Sequence, residues 1–238
     1  MKKMIFLTGI AFVLFSCNSG NKESSESNSD SKSEKVSNKV KSKSYDCLKK
    51  FQDDYKSALS KEEMASVYPI DFDKAKEELQ TGNYGEHLYR WPSDRVDLNL
   101  EISGMKMKIP DQNIMGIKML SFYSDKTEME SAIDNFNMAY KELSEAELEK
   151  IQANLEKQND EVKETGKDFM KVRAKRSWDF VDGLGSSAWY KWNENYGGEL
   201  AVLAGKAKFY IIIKISSDPD ENRVLAKKLA EKVLEKCK

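Results

Sequence analysis

Residue types that carry out chemistry are sparse in this chain of 238 residues, which has one histidine and three cysteines. Because His87 is the single histidine, histidine-based triads and zinc sites built from several histidines are excluded. We expect His87 to be an ordinary residue of a short strand. Asp218, Asp220 and Glu221 lack the glycine and the later bidentate glutamate of a calcium loop, and helix capping explains them. The sequence therefore predicts no catalytic residue, no metal site and no cofactor.

Two features could instead bind a ligand. Lys171, Arg173 and Lys175 alternate with apolar residues, which makes a basic stripe on one face of a predicted strand. This stripe could meet an anionic envelope polymer or a lipid headgroup, or it could be a solvated strand face, such as an edge protected by lysines. A dense aromatic group follows, in which Trp189 and Lys191 are the candidate ligand-binding residues. Aromatic residues in strands are more often core than sugar-stacking platforms.

Side chains alternate along the predicted strand at 187–193, so its aromatic residues divide between two faces. Tyr190 and Trp192 share one face, whereas Trp189 and Lys191 share the other. Because Lys191 would be costly to bury without a partner, its face is expected to be the more solvated one. We therefore expect Trp192 in the core and Trp189 partly exposed.

The amino terminus has the composition of an export signal. Two lysines precede an apolar run from Met4 to Phe15, which at 1.5 Å per residue is too short to span ~30 Å of hydrocarbon. Leu-Phe-Ser-Cys at 14–17 resembles the lipobox of bacterial lipoproteins. The resemblance implies removal of residues 1–16 as a signal peptide and lipidation of Cys17, which attaches the protein to a membrane. An ordinary secretory signal is the alternative, and no A-x-A pattern supports it.

Residues 17–44 are expected to be the lipidated cysteine and a disordered, serine-rich tether, whose only apolar side chains are Val36 and Val40. A flexible coil of this length has an r.m.s. span of about 30 Å. Asn18 stands where enterobacterial lipoproteins carry an inner-membrane retention Asp, so by that resemblance the outer membrane is favoured. Whether the periplasmic or the surface side is occupied stays open.

The remaining residues, 45–238, have the length of one domain. The chain has 39 basic and 40 acidic side chains, a balance that gives no electrostatic case for binding nucleic acid. Cys47 and Cys237 lie near opposite ends of this domain, each on the apolar stripe of a predicted helix. An even pair in an oxidising compartment favours a disulfide, and the alternative is two buried free thiols.

The periodicity of apolar residues predicts the elements. Helices are expected from 44 or 45 to 60, at 61–67, at 73–80 and over 126–164, where a capping box at Ser144 starts a second helix on the surface. Strands are expected at 86–91, 96–102, 105–109, 114–123, 168–181, 187–193, 199–204 and 207–216, and a final helix follows Asp218. Those at 96–102 and 105–109 form a hairpin with one face inward. We predict an α+β fold, with a single antiparallel sheet, amino- and carboxyl-terminal helices packed on it and a long charged helical segment.

The carboxyl-terminal half carries Gly-Leu-Gly-Ser-Ser-Ala-Trp-Tyr at 183–190 and Leu-Ala-Val-Leu-Ala-Gly at 200–205, followed by a strand and a helix. This pattern is similar to secreted bacterial lipoproteins of unknown function with a PsbP-like α-β-α sandwich. Leu-Ser-Lys-Glu-Glu at 59–63 and Tyr-x-Trp at 89–91 extend the likeness over most of the domain. The resemblance implies the fold alone, since the family shares no catalytic site. The charged stretch at 144–164 departs from it, which suggests an insertion.

We therefore expect a membrane-anchored envelope lipoprotein whose domain is a non-enzymatic binding or accessory module for an envelope protein or a surface ligand. One alternative is a carbohydrate or anionic-lipid binding protein that uses the aromatic or basic sheet faces. The other is a carboxylate-dependent hydrolase, which would need a cleft with two facing acids.

Overall fold

A seven-stranded antiparallel sheet organises the part of the chain that the computed structural model describes, which is residues 45–82, 84–102, 105–159, 162–166 and 178–238. Its strands are β1 (Lys76–Gln80), β2 (Glu86–Pro92), β5 (Gln112–Phe122), β6 (Asp179–Phe180), β7 (Ser187–Asn193), β8 (Gly197–Ala204) and β9 (Ala207–Lys214). Their spatial order is β1-β2-β5-β9-β8-β7-β6. Two further strands, β3 (Leu98–Ile102) and β4 (Met105–Ile109), form a separate hairpin.

Helices precede, interrupt and follow the strands, so the predicted α+β fold class is confirmed. They include a 3-10 helix (Asp46–Phe51), α1 (Tyr55–Ala58), α2 (Lys61–Val67), α3 (Met129–Tyr140), α4 (Glu145–Leu155) and α5 (Pro219–Glu235). Asp218 caps α5, since its side chain accepts from the Asp220 N–H at 2.9 Å. The predicted capping box at Ser144 starts α4, which has no buried residue and lies on the surface as expected.

One side of the sheet packs against α5 and the amino-terminal helices. The apolar residues of this side are fully or almost fully buried and include Met115, Ile117, Leu200, Val202, Phe209, Ile211 and Ile213. The stripe of α5 that meets them consists of Ala226, Leu229, Ala230 and Val233. We call this side the α5 face. It holds the main core of the domain.

The opposite side of the sheet, which we call the α3 face, packs against α3. Phe136 and Tyr140 of α3 are buried with Ala201 and Leu203 of β8, and Trp189 packs against them. Because side chains alternate along a strand, Leu200 and Val202 face α5 while Ala201 and Leu203 face α3. Part of the sheet is therefore covered on both sides.

A bulge in β5 ties the sheet to α1. The register of β5 against β9 shifts between Lys118 and Ser121, and Met119 has a φ of 56°. This irregularity turns the Leu120 N–H toward the Tyr55 hydroxyl, to which it donates at 3.1 Å. Tyr55 is wholly buried, so the bond fixes α1 against the sheet.

Two predicted elements are wrong. Residues 73–80 were expected to be helical, but Lys76–Gln80 forms edge strand β1, because pairing with β2 along five residues outweighs local helix propensity. The β3–β4 hairpin was expected to turn one face into the core, yet Met105 is 63% exposed and Met107 43%. The hairpin pairs outside the main sheet, so its apolar face does not reach the core.

The predicted strand at 168–181 is represented by Asp179–Phe180, and residues 168–177 lie outside the described residues. The predicted first helix begins as the 3-10 helix at Asp46 and is separated from α1 by a turn. Strands β7, β8 and β9 lie within about two residues of their predicted bounds.

Candidate functional site

Trp189 lies on the α3 face of β7 and is half-buried, as predicted. Its indole N–H donates to Asn137 Oδ1 of α3 at 3.0 Å, and the same oxygen accepts from the Ser187 hydroxyl at 2.6 Å. The ring also meets Phe180 edge-on, with centroids 5.4 Å apart. The polar atom of Trp189 is therefore already engaged, and its ring helps to hold α3 on the sheet.

The other members of β7 divide between faces as the alternation predicts. Tyr190 is buried in the main core, and its hydroxyl donates to the Pro219 carbonyl at 3.1 Å. Trp192 packs against the same core but is half-buried, so the expectation that it would be a full core residue is wrong in degree. Its position toward the end of β7, beside Gly198, leaves it incompletely covered.

Lys191 lies beside Trp189 on the α3 face and takes part in a charged group. Its Nζ is 2.7 Å from Glu199 Oε2 and 4.5 Å from the centre of the Trp178 ring. Lys118 reaches the other oxygen of Glu199 at 3.4 Å. We call Lys118, Lys191, Glu199 and Trp178 the charged patch. Two ammonium groups share one carboxylate, so the patch carries a net charge of +1 and favours an anionic group.

Two tyrosines pack beside the charged patch on the α3 face. The hydroxyls of Tyr140 and Tyr210 are 2.6 Å apart, and Tyr140 also packs edge-on against Trp178. Burial, with a smaller contribution from Tyr210, raises the pKa of Tyr140 far above its usual value. The Tyr140 hydroxyl therefore stays protonated and acts as a hydrogen-bonding group.

Several predicted site residues lie outside the described residues. They are the lipidated cysteine Cys17 and the basic stripe of Lys171, Arg173 and Lys175. The described residues thus bring Trp189 and Lys191 together on one face, and the basic stripe stays a prediction.

The described residues hold no group of three or more His, Cys, Asp or Glu side chains arranged to bind a metal ion. Within the same part of the chain, no helix is long and apolar enough to cross a membrane. No known family model, curated protein or solved structure matches this chain.

Cys47 and Cys237 meet beside the main core and are joined as a disulfide in the structure. Their Cα atoms are 5.6 Å apart, within the range that a disulfide requires. The bond connects the 3-10 helix to the end of α5 and closes a loop across 190 positions of sequence. It ties together the two ends of the folded part.

His87 is 1% exposed, and each of its ring nitrogens lies within hydrogen-bonding distance of an oxygen atom. The sequence did not reveal this buried position. Nδ1 lies 3.2 Å from the Leu59 carbonyl oxygen and Nε2 lies 3.0 Å from Glu77 Oε1. The same carboxylate oxygen meets Lys56 at 2.8 Å and Tyr89 at 3.1 Å. The hydrogen bond from Lys56, with others from His87 and Tyr89, holds the pKa of Glu77 below its usual value despite burial.

The His87 group connects edge strand β1 to α1 and β2, on the side of the sheet away from the charged patch. The alternation of residues 86–91 could have indicated that His87 and Tyr89 share a face. The contact with Glu77 could not have been found, because the helix predicted at 73–80 gives no reason to place Glu77 opposite His87.

A second buried charge group joins the start of β5 to the end of β9. Lys214 is 2% exposed, and its Nζ lies 2.6 Å from Asp111 Oδ1. Arg95 Nε donates to Asp111 Oδ2 at 2.6 Å, and Lys214 also donates to the Asn195 carbonyl at 3.2 Å. Burial alone would raise the pKa of Asp111, but the bonds from Lys214 and Arg95 outweigh it and lower that pKa. Each charge has partners, so we interpret this group as structural.

Proposed function

We propose that this protein is an exported lipoprotein, held on a membrane by lipid on Cys17, whose α+β domain is a non-enzymatic binding module outside the cytoplasm. The observation that carries the proposal is the disulfide between Cys47 and Cys237. Disulfides persist in oxidising compartments and are rare in the cytosol. The disulfide therefore supports export independently of the lipobox resemblance at residues 14–17.

The role as a binding module is supported by the α3 face. The charged patch has a net positive charge and is only partly shielded, since the side chains of Lys191 and Lys118 are 39% and 28% exposed. The charged patch is therefore the group on this face best placed to contact a ligand, and we assign no catalytic residue.

A carbohydrate platform centred on Trp189 is less well supported. Its N–H is bonded to Asn137, and the ring packs against Phe180 and α3. A sugar that stacked on this ring would compete with existing contacts. An anionic group at Lys118 and Lys191 demands less rearrangement, so we infer that any ligand of this face is anionic.

The anchor is tested by replacing Cys17 with Ser and following acyl labelling and membrane fractionation. We expect the Cys17→Ser variant to lose the acyl label and to leave the membrane fraction, because the acylated thiol is gone. Cys47→Ser is the matched control and should keep both label and membrane association. Membrane partition of Cys17→Ser equal to that of the natural chain would overturn the anchor.

A further inference from the structure

The β3–β4 hairpin is unlike the rest of the domain because its strands pair only with each other. The register sets Leu98 opposite Ile109, Leu100 opposite Met107 and Ile102 opposite Met105. Residues directly opposite in an antiparallel pair share a face. One face of the hairpin therefore carries the apolar residues Leu98, Met105, Met107 and Ile109, while the other carries Asn99, Lys106 and Lys108.

This apolar face is covered at its base and open toward its turn. Leu98 and Ile109, at the base, are half-buried. Met105 is 63% exposed and Met107 43%. An isolated two-stranded hairpin is at best marginally stable in water, so a second surface that covers the methionines would stabilise it.

The size of the hairpin favours a lipid surface over a protein partner. Each strand has five residues and is about 17 Å long, and two strands are roughly 10 Å wide. The face thus has a footprint of roughly 170 Å². This is far below the about 800 Å² of accessible surface that each partner buries in a stable protein interface. A patch this small binds usefully only to a surface that is held nearby by another attachment. A bilayer that already holds the lipid on Cys17 is such a surface.

The chain is long enough to allow both attachments at once. Tyr45 lies beside Gly205 in the β8–β9 turn, and the hairpin leaves the sheet at the other end of β5. The 11 residues of β5 separate these ends by about 36 Å. The 27 residues between Cys17 and Tyr45 extend to at most about 90 Å, which exceeds that separation.

We propose that the β3–β4 hairpin is a second membrane contact, in which Met105 and Met107 enter the interfacial region of the bilayer that holds the Cys17 lipid. Methionine is apolar and adapts its shape, which suits a fluid surface. Lys106 and Lys108 are exposed and can extend their ammonium groups to the lipid headgroups. The contact rests on the proposed lipid anchor and would orient the domain against the membrane.

Methionine oxidation tests the contact on the natural chain. The lipidated protein is reconstituted into vesicles of phosphatidylethanolamine and phosphatidylglycerol, treated with hydrogen peroxide and analysed by peptide mass spectrometry. We expect Met105 and Met107 to form sulfoxide about tenfold more slowly than in Cys17→Ser protein without vesicles, because lipid excludes the aqueous oxidant.

The chain supplies its own controls. Met138 of α3 is 55% exposed and lies outside the hairpin, so its oxidation rate should be the same in both samples. Met64 and Met115 are wholly buried and should oxidise slowly in both. Oxidation of Met105 and Met107 at the rate found without vesicles would overturn the membrane contact. Protection in intact cells but not in vesicles would also overturn it, since a protein would then be the occupant.

The intact mass of the same sample separates failure of the contact from failure of the anchor. If Cys17 is acylated and the hairpin methionines oxidise freely, the contact is wrong and the anchor stands. If Cys17 is not acylated, the anchor is wrong, and the Cys17→Ser chain with excess vesicles decides the contact. In that sample, slowing of Met105 and Met107 by about twofold or more would support it, and unchanged rates would overturn it.

Discussion

On the α5 face, Phe209 and Ile211 are wholly buried beneath helices, whereas the α3 face mixes a small apolar cluster with ion pairs. The two faces alternate along the same strands, so one stretch of sequence builds both. Phe209 belongs to the main core, while its neighbour Tyr210 bonds to a hydroxyl of α3. The two faces therefore contribute differently to the domain. The α5 face holds the fold together, and the α3 face keeps partly exposed polar groups in fixed positions.

The largest expected difference is between Phe209 and Tyr210. Phe209→Ala should lower the free energy of unfolding by about 3–5 kcal/mol, because it leaves a cavity in the main core. Tyr210→Phe removes one hydroxyl and its bond to Tyr140, and should cost about 1 kcal/mol. Denaturant melts of the two variants measure both losses. Equal losses would mean that the faces do not differ as described.

A substitution at Asp111 tests whether a buried ion pair on the α3 face contributes to the stability of the domain. Alternation along β9 places its partner Lys214 on that face. Asp111→Asn should cost about 3 kcal/mol at neutral pH, because it leaves the buried Lys214 without its carboxylate. Asp97→Asn is the matched control. Its partner Lys108 is 66% exposed, so the loss should be under about 1 kcal/mol.

The same substitution has a predicted pH dependence. The pKa of Asp111 is lowered in the folded protein, so its stabilising contribution is present above its unfolded pKa and is lost as the pH falls through the folded one. The natural chain should therefore lose stability below about pH 4, and the difference from Asp111→Asn should shrink there. A difference that stays constant from pH 7 to pH 3 would contradict the role of this carboxylate.

The smallest expected effect concerns Asn137, which joins α3 to β7. Asn137→Ala leaves the Ser187 hydroxyl and the Trp189 N–H without their acceptor and should cost about 1–3 kcal/mol. Asn135→Ala, at an exposed position of the same helix, should cost close to nothing. Chemical denaturation followed by tryptophan fluorescence gives both values. If the two variants are equally stable, α3 is not held by this bond.

Much of the α5 face could be predicted because one simple pattern encodes it. Alternating apolar residues at 207–216 and a helix capped at Asp218 place Phe209 and Ala226 inward with no knowledge of their partners. Tyr210 and Ile212 lie on the other side of β9, and apolar residues at such positions are typical of a side that is partly covered too. The sequence could not show that α3 covers this side of β9, because the apolar stripe of α3 does not specify which face of the sheet the helix meets.

The polar contacts could not be predicted for a related reason. Glu77 meets His87 only because residues 76–80 form an edge strand, and local propensity favoured a helix there. The β3–β4 hairpin was predicted as a hairpin, but alternation cannot say whether an apolar face meets a core or another surface. The relation between Lys191 and Glu199 likewise depends on the register of β7 against β8.

Intact-mass analysis of protein from the membrane fraction, alkylated under denaturing conditions without reductant, tests the central claim most directly. We predict a chain that begins at Cys17, carries acyl groups there and has no alkyl group on Cys47 or Cys237, because those two are joined. Reduction before alkylation should add two alkyl groups. A chain that retains residues 1–16, or that is alkylated at Cys47 and Cys237 without reductant, would contradict an exported lipoprotein closed by a disulfide.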